Sequence, residues 1–269
     1  MLNYDFMQRA LLAGLMLSII IPMIGIVMIN RKTSMIGDAL SHSSLSGIAL
    51  GLIFGMNPLW SSLIVCVIAS FAIEIIRRRF DQYGDMATAI VMSGGIGLAA
   101  VLSDFTPGGT SFESFMFGSI TTVSKDDLIL VGIIFILVVL ISLYFYQALL
   151  YNSINPMMSR LSGVKTDLID SIFTGMTAIT VAISAKTVGA LMISSLMVIP
   201  VATSLLITKS YKASYILSIG LSVLFMLAGI TASFYLGVKP GGSIVLIAII
   251  VLILVSIFTM IRSKLLTKK

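Results

Sequence analysis

Residues 243–264 read SIVLIAIIVLILVSIFTMIRSK: nineteen positions without a charge, closed by Arg262 and Lys264. An α-helix rises about 1.5 Å per residue, so about 20 apolar residues in a row are what a helix needs to cross the hydrocarbon core of a bilayer. Earlier apolar runs of the same kind lie at approximately 8–30, 40–56, 60–76, 86–103, 127–150, 170–184, 188–208 and 213–236, of which 40–56 and 170–184 are short. Over all 269 residues, 58% are hydrophobic and 10% charged, and the mean hydropathy is +1.11. A soluble domain carries about a quarter of its residues as Asp, Glu, Lys or Arg. This chain has too little polar surface to cover a water-facing globule, which excludes soluble enzymes, nucleic-acid modules and secreted disulfide scaffolds. The expected fold class is all-α: a polytopic helical membrane protein of eight to nine transmembrane helices, nine being preferred.

Between the runs there is no Pro/Gly/Ser linker, low-complexity segment or repeat, so residues 1–269 are expected to form a single transmembrane domain. The start MLNYDFMQRA lacks a basic stretch followed by a small-residue cleavage site. The first run therefore reads as a mature span rather than a removable signal. The lone cysteine, Cys66, sits in an apolar stretch and reads as a packed small hydrophobe.

The few charges set sidedness, because short loops rich in Lys and Arg stay cytoplasmic. Arg31, Lys32, Arg77 to Arg79, Arg160, Lys165, Lys209, Lys212, Arg262, Lys264, Lys268 and Lys269 all fall on one side if nine spans alternate. Those are 13 of the 17 basic residues. Arg9, Lys125, Lys186 and Lys239 fall on the other side. The N-terminus is expected outside and the C-terminus in the cytoplasm. The net charge of +6 does not signal nucleic acid, since the basic residues flank apolar runs instead of forming one face.

Ionisable groups inside spans are costly and mark functional positions by default. The clearest cluster is residues 34–47, SMIGDALSHSSLSG, which holds the only histidine of the protein. On a helix Asp38, His42 and Ser46 share one face at i, i+4 and i+8, with Ser41 beside them. Two readings stand at this point. His42 is a neutral packing histidine bonded to Asp38 or a serine, or else Asp38 and His42 are ligands on a pathway for a divalent ion such as zinc or manganese, lined by Ser41 and Ser46. One His and one Asp do not close a four-ligand site. A two-fold dimer with opposed faces supplies two of each; alternatively each chain completes its own.

Elsewhere, Lys186 is expected to snorkel to the outer interface or to face a vestibule. Pro200 is expected to kink or break its helix, with Thr203 or Ser204 satisfying freed carbonyls. The connection from Asp104 to Asp127 places Asp104, Glu113, Asp126 and Asp127 against one lysine, an acidic rim in which Phe112–Ile120 reads as a short surface or re-entrant helix. No phosphate loop or nucleotide fingerprint is present, so energy from ATP would have to come through a partner. Residues 151–169, YNSINPMMSRLSGVKTDLI, read either as an ordinary turn or as a short helix ending at Gly163 that suits docking onto a soluble protein.

Residues 37–51, GDALSHSSLSGIALG, resemble the signature segment of the permease family of bacterial zinc/manganese/iron ABC importers. The similarity continues in FMFGSI (115–120), RLSGV (160–164), VGALMISSLMVIPVAT (188–203) and GGSIVL (241–246), in the family's order across nearly the whole chain. The resemblance implies a non-enzymatic permease in the bacterial cytoplasmic membrane, paired with a second copy of itself. It also implies a cytoplasmic ATP-binding cassette dimer as partner and an extracellular metal-binding lipoprotein as feeder. The family's metal ligands fall on Asp38 and His42, and its ATPase-coupling turn on Arg160, Leu161, Ser162, Gly163 and Val164. The cargo it implies is a divalent metal passing through, with no permanently bound cofactor. A single histidine and the LSHSSLSG wording are similar to the zinc branch, with manganese or iron as the alternative. Two other readings are an ion-coupled secondary metal carrier working alone and an ABC permease whose cargo is a metal chelate.

Overall fold

Polar caps and helix breakers cut the apolar runs into helices. Asn57 accepts a hydrogen bond from the Leu59 amide, with Pro58 in the first helical position. Ser124 and Asp127 form a reciprocal capping box at the start of another helix. Ser210 caps a third, and Gly237, left-handed at its far end, stops it. The computed structural model describes residues 4–80, 84–106, 109–119 and 121–266. Among them lie α1 (Asp5–Asn30), α2 (Met35–Ile53), α3 (Pro58–Arg79), α4 (Gly84–Ser103), α5 (Gly109–Phe117), α6 (Lys125–Tyr144), α7 (Tyr146–Ile154), α8 (Pro156–Leu161), α9 (Thr166–Ser184), α10 (Ala190–Ile207), α11 (Tyr211–Leu236) and α12 (Pro240–Leu266).

Eight of the described helices are long and apolar enough to cross a membrane: α1, α3, α4, α6, α9, α10, α11 and α12. The further long helix is α2, whose 19 residues equal α9 in length. It falls short on apolarity alone, through its serines, Asp38 and His42. It tolerates them because it is wrapped in protein. α2 packs against α3, α4, α9 and α10, while α1 packs against α6, α9, α10 and α11. Around this interior, α4, α6 and α12 present outward faces such as Ile133, Ile136 and Leu140, or Ile250, Leu254 and Phe258. Apolar side chains outside and serines inside invert the soluble pattern, as lipid contact requires.

Contacts between sequence-distant ends group the helix termini. The α5 end brings Tyr4 beside Phe234 and Arg9 Nη1 within 3.4 Å of the Val123 carbonyl. At the α8 end, Tyr146 packs edge-on against Tyr211 and Tyr215, and Arg31 meets Asp170.

Several expected boundaries move for physical reasons. The runs at 40–56 and 170–184 begin about one turn earlier, as α2 and α9, because a first turn tolerates acids such as Asp38 and Asp167 at the positive end of the helix dipole. The run at 127–150 divides at Phe145 into α6 and a separate nine-residue α7. The helix expected over 112–120 is α5, with Ile120 outside the described residues. Pro200 does not break its helix: α10 runs continuously through it. Thr203 Oγ1 and Ser204 Oγ donate to the Ile199 and Val201 carbonyls rather than to the Leu196 carbonyl that the proline leaves without a helical donor.

Candidate functional site

Glycines let both flanks of α2 come close to its neighbours. Gly47 and Gly51, four apart, face α3. A Cβ at Gly47 would lie 2.7 Å from Ser62 Cα and 2.9 Å from the Ser61 carbonyl oxygen. Across that contact the Ser44 and Ser62 hydroxyls are 2.8 Å apart, and the Cys66 thiol donates to the Leu40 carbonyl at 3.4 Å. On the other flank Gly95 brings α4 onto the backbone of His42 and Ser43, where a Cβ would lie 2.8 Å from Ser43 N. Small residues that allow such backbone approach are the usual means of packing helices in lipid, where no hydrophobic force drives them together.

His42 emerges half-buried from this clamp, one turn along α2 from the half-buried Asp38. Ser41 and Ser46 are buried on the same helix. Ser46 donates to the Ser43 carbonyl at 2.7 Å, whereas Ser41 Oγ makes no hydrogen bond among the described residues. His42 opens into a cavity of about 440 Å³ lined by α2 through Leu45, by α4, by α5 through Phe112, Glu113 and Met116, and by Leu191 of α10. Asp38 is not among its lining residues. The sequence-predicted pair thus shares a helix face, yet the cavity reaches only its imidazole. No group of three His, Cys, Asp or Glu side chains gathers among the described residues.

At the opposite end, Asn155 caps α8, its side chain accepting from the Met158 amide at 3.1 Å, and Pro156 takes the first position. α8 closes in a Schellman turn: Gly163 N donates to the Arg160 carbonyl, and Val164 N to the Ser159 carbonyl, both at 3.2 Å. Gly163 has φ +82°, which costs a glycine little. Arg160 Nε donates to Thr166 Oγ1 at 3.2 Å, tying the turn to α9. Met157, Met158 and Leu161 stand exposed on this tip.

Two polar contacts were not anticipated from sequence. Arg31, its side chain 8% exposed, pairs with Asp170, which also accepts from Asn152 Nδ2 at 2.8 Å. Its guanidinium lies 5.0 Å from the Phe173 ring centroid. An acid opening the apolar run 170–184 was the available signal. Lys186, expected to snorkel or to face a vestibule, instead turns to Asp127 with Nζ to Oδ2 2.5 Å. Burial of Asp127 within its capping box favours a cation partner over open water.

The sequence profile of the ABC 3 transport family matches residues 3–259. A protein of Treponema pallidum called probable metal transport system membrane protein is 33% identical over 260 residues, 96% of this chain and 97% of that protein. The high-affinity zinc uptake system membrane protein ZnuB of Haemophilus influenzae is 29% identical over 90% of this chain and 94% of its own. The manganese transport system membrane protein MntC of Listeria monocytogenes is 25% identical over 100% of this chain and 96% of its own. Among solved structures, PsaBC from Streptococcus pneumoniae in complex with Fab superposes with a TM-score of 0.84 at 24% identity, over 94% of this chain and 91% of that one.

Proposed function

The chain belongs to the ABC 3 transport family, and on that premise we propose that it is the permease subunit of an ATP-driven importer of divalent transition-metal ions, zinc foremost. It is a multi-pass membrane protein and not itself an enzyme; ATP hydrolysis belongs to a partner subunit. The observation that carries the reading is the clamped polar helix α2, with His42 opening into a cavity that extends toward the α5 end. In this reading the α5 end faces outside and the α8 end the cytoplasm, as the basic residues require.

Metal enters from a binding protein docked on the α5 end and meets the His42 imidazole, with Asp38 one turn deeper compensating its charge. Ser41 and Ser46 line the pathway. An imidazole favours zinc over magnesium and calcium, which prefer all-oxygen shells. Open, low-count coordination suits an ion that must leave again. Arg160 to Val164, presented by α8, take the force of the ATPase dimer, and Pro200 softens α10 beside the path. The working unit pairs two copies of this single transmembrane domain, residues 1–269.

In the complex assembled with its ATPase, His42→Ala is expected to cut zinc uptake at least tenfold and to abolish metal stimulation of ATP hydrolysis, with basal hydrolysis retained. Uptake at the wild-type rate would remove His42 from the pathway. A second reading, manganese as cargo, is favoured by the MntC relatives, which match as fully as the zinc protein does. Competition between labelled zinc and labelled manganese in the same vesicles decides between them.

A further inference from the structure

We propose that Glu113 is a second cation ligand on the uptake path, a receiving carboxylate above His42 that Lys239 holds until a metal ion displaces it. The inference rests on the reading of this chain as a metal-import permease.

Glu113 lines two cavities at once. One is the cavity of about 440 Å³ that also contains His42. The other, of about 400 Å³, lies at the same end of the molecule, with Ser114, Ser119, Thr121, Ser233 and Lys239 among its walls. Glu113 therefore stands at the divide between a polar mouth and the chamber of the imidazole. Among the described residues that line that chamber, His42 carries the one imidazole and Glu113 the one carboxylate. A further polar residue of the described wall, Ser103, donates its hydroxyl to the Ala100 carbonyl at 2.7 Å. A carboxylate followed by an imidazole is a donor pair that suits a borderline divalent ion.

Lys239 Nζ donates to Glu113 Oε1 and also lies 4.4 Å from the centroid of the Phe117 ring, one turn along α5. The ammonium thus has a second resting place on the ring face when the carboxylate is taken by a metal. A divalent ion carries twice the charge of the ammonium and competes for the same oxygens. The pair is not what anchors α5. Both side chains are about half exposed, 50% for Lys239 and 54% for Glu113, and such pairs add little stability. The α5 end is already seated by backbone, where a Cβ on Gly118 would lie 2.6 Å from the Val188 carbonyl carbon.

The test is an equilibrium zinc titration of the purified full chain. Glu113→Gln is expected to weaken zinc binding at least tenfold. Lys239→Met is expected to tighten it about threefold or more, because the competing ammonium is gone. The swapped pair Glu113→Lys with Lys239→Glu restores an ion pair but is expected to stay as weak as Glu113→Gln. A merely structural pair would behave differently: both single variants would move in the same direction and the swap would recover. Either result, or Glu113→Gln binding within twofold of wild type, overturns the proposal. Failure of the permease reading shows separately, as a wild-type complex that binds zinc but moves neither zinc nor manganese with ATP.

Discussion

At the residue scale, Arg31 is a charge held inside the protein by a defined partner. It follows the end of α1, has a side chain 8% exposed, and has Asp170 of α9 as its ion-pair partner, with Asn152 of α7 on the same carboxylate oxygen. The Asp170 side chain is 27% exposed, so the pair is part-buried, and removing the carboxylate costs less than the roughly 3 kcal/mol of a fully buried pair. Asp170→Ala is therefore expected to lower the thermal unfolding midpoint of the purified chain clearly. Asp170→Asn, which keeps an acceptor for Arg31, is expected to lower it less. Equal midpoints for Asp170→Ala and wild type would mean that Arg31 finds a replacement partner. Because α7 leads directly into α8 and α1 directly into α2, this contact also joins the proposed ATPase-docking tip to the start of α2.

At the element scale, α2 depends on its neighbours. A 19-residue helix with an acid, a histidine and four serines is a poor span on its own, and becomes one only inside a sleeve of α3, α4, α9 and α10. The sleeve closes on backbone at Gly47, so Gly47→Val has to push α3 away. The expected loss is about 1–3 kcal/mol of stability, as overpacking of a tight core typically costs. Gly220→Ala, at a site of α11 with open space around it, is the control and is expected to leave the unfolding midpoint within experimental error. If both variants unfold alike, the α2–α3 contact is looser than its geometry. The cluster SMIGDALSHSSLSG could be recognised as special without a fold, since such polarity in a chain this apolar needs a reason. The clamp around it was less legible. Ser93-Gly94-Gly95-Ile96-Gly97 offers three glycines in a row of five, and only packing selects Gly95 as the one that meets His42.

At the scale of the whole molecule, alternating long helices bring most of the described basic residues to the α8 end, and sidedness follows from which end the cell keeps inside. Cys66 is the single cysteine and is buried, so Cys66→Ser gives a background for labelling. In that background Val238→Cys is expected to react with a membrane-impermeant thiol reagent in intact cells, and Met157→Cys only in inverted vesicles of the chain expressed without its partners. The reverse pattern would turn the molecule over. That the chain spans a membrane, and roughly where each long helix lies, could be read from composition and run length, because a bilayer selects on exactly those one-dimensional properties: apolar length and flanking charge. Packing alone decides the rest. It joins Arg31 to Asp170 across 139 positions, turns Lys186 to Asp127, hides the polarity of α2, and sets Glu113 on the same cavity as His42. Those pairings depend on how helices distant in the chain come side by side, and no local pattern of residues encodes the shape of the space between them.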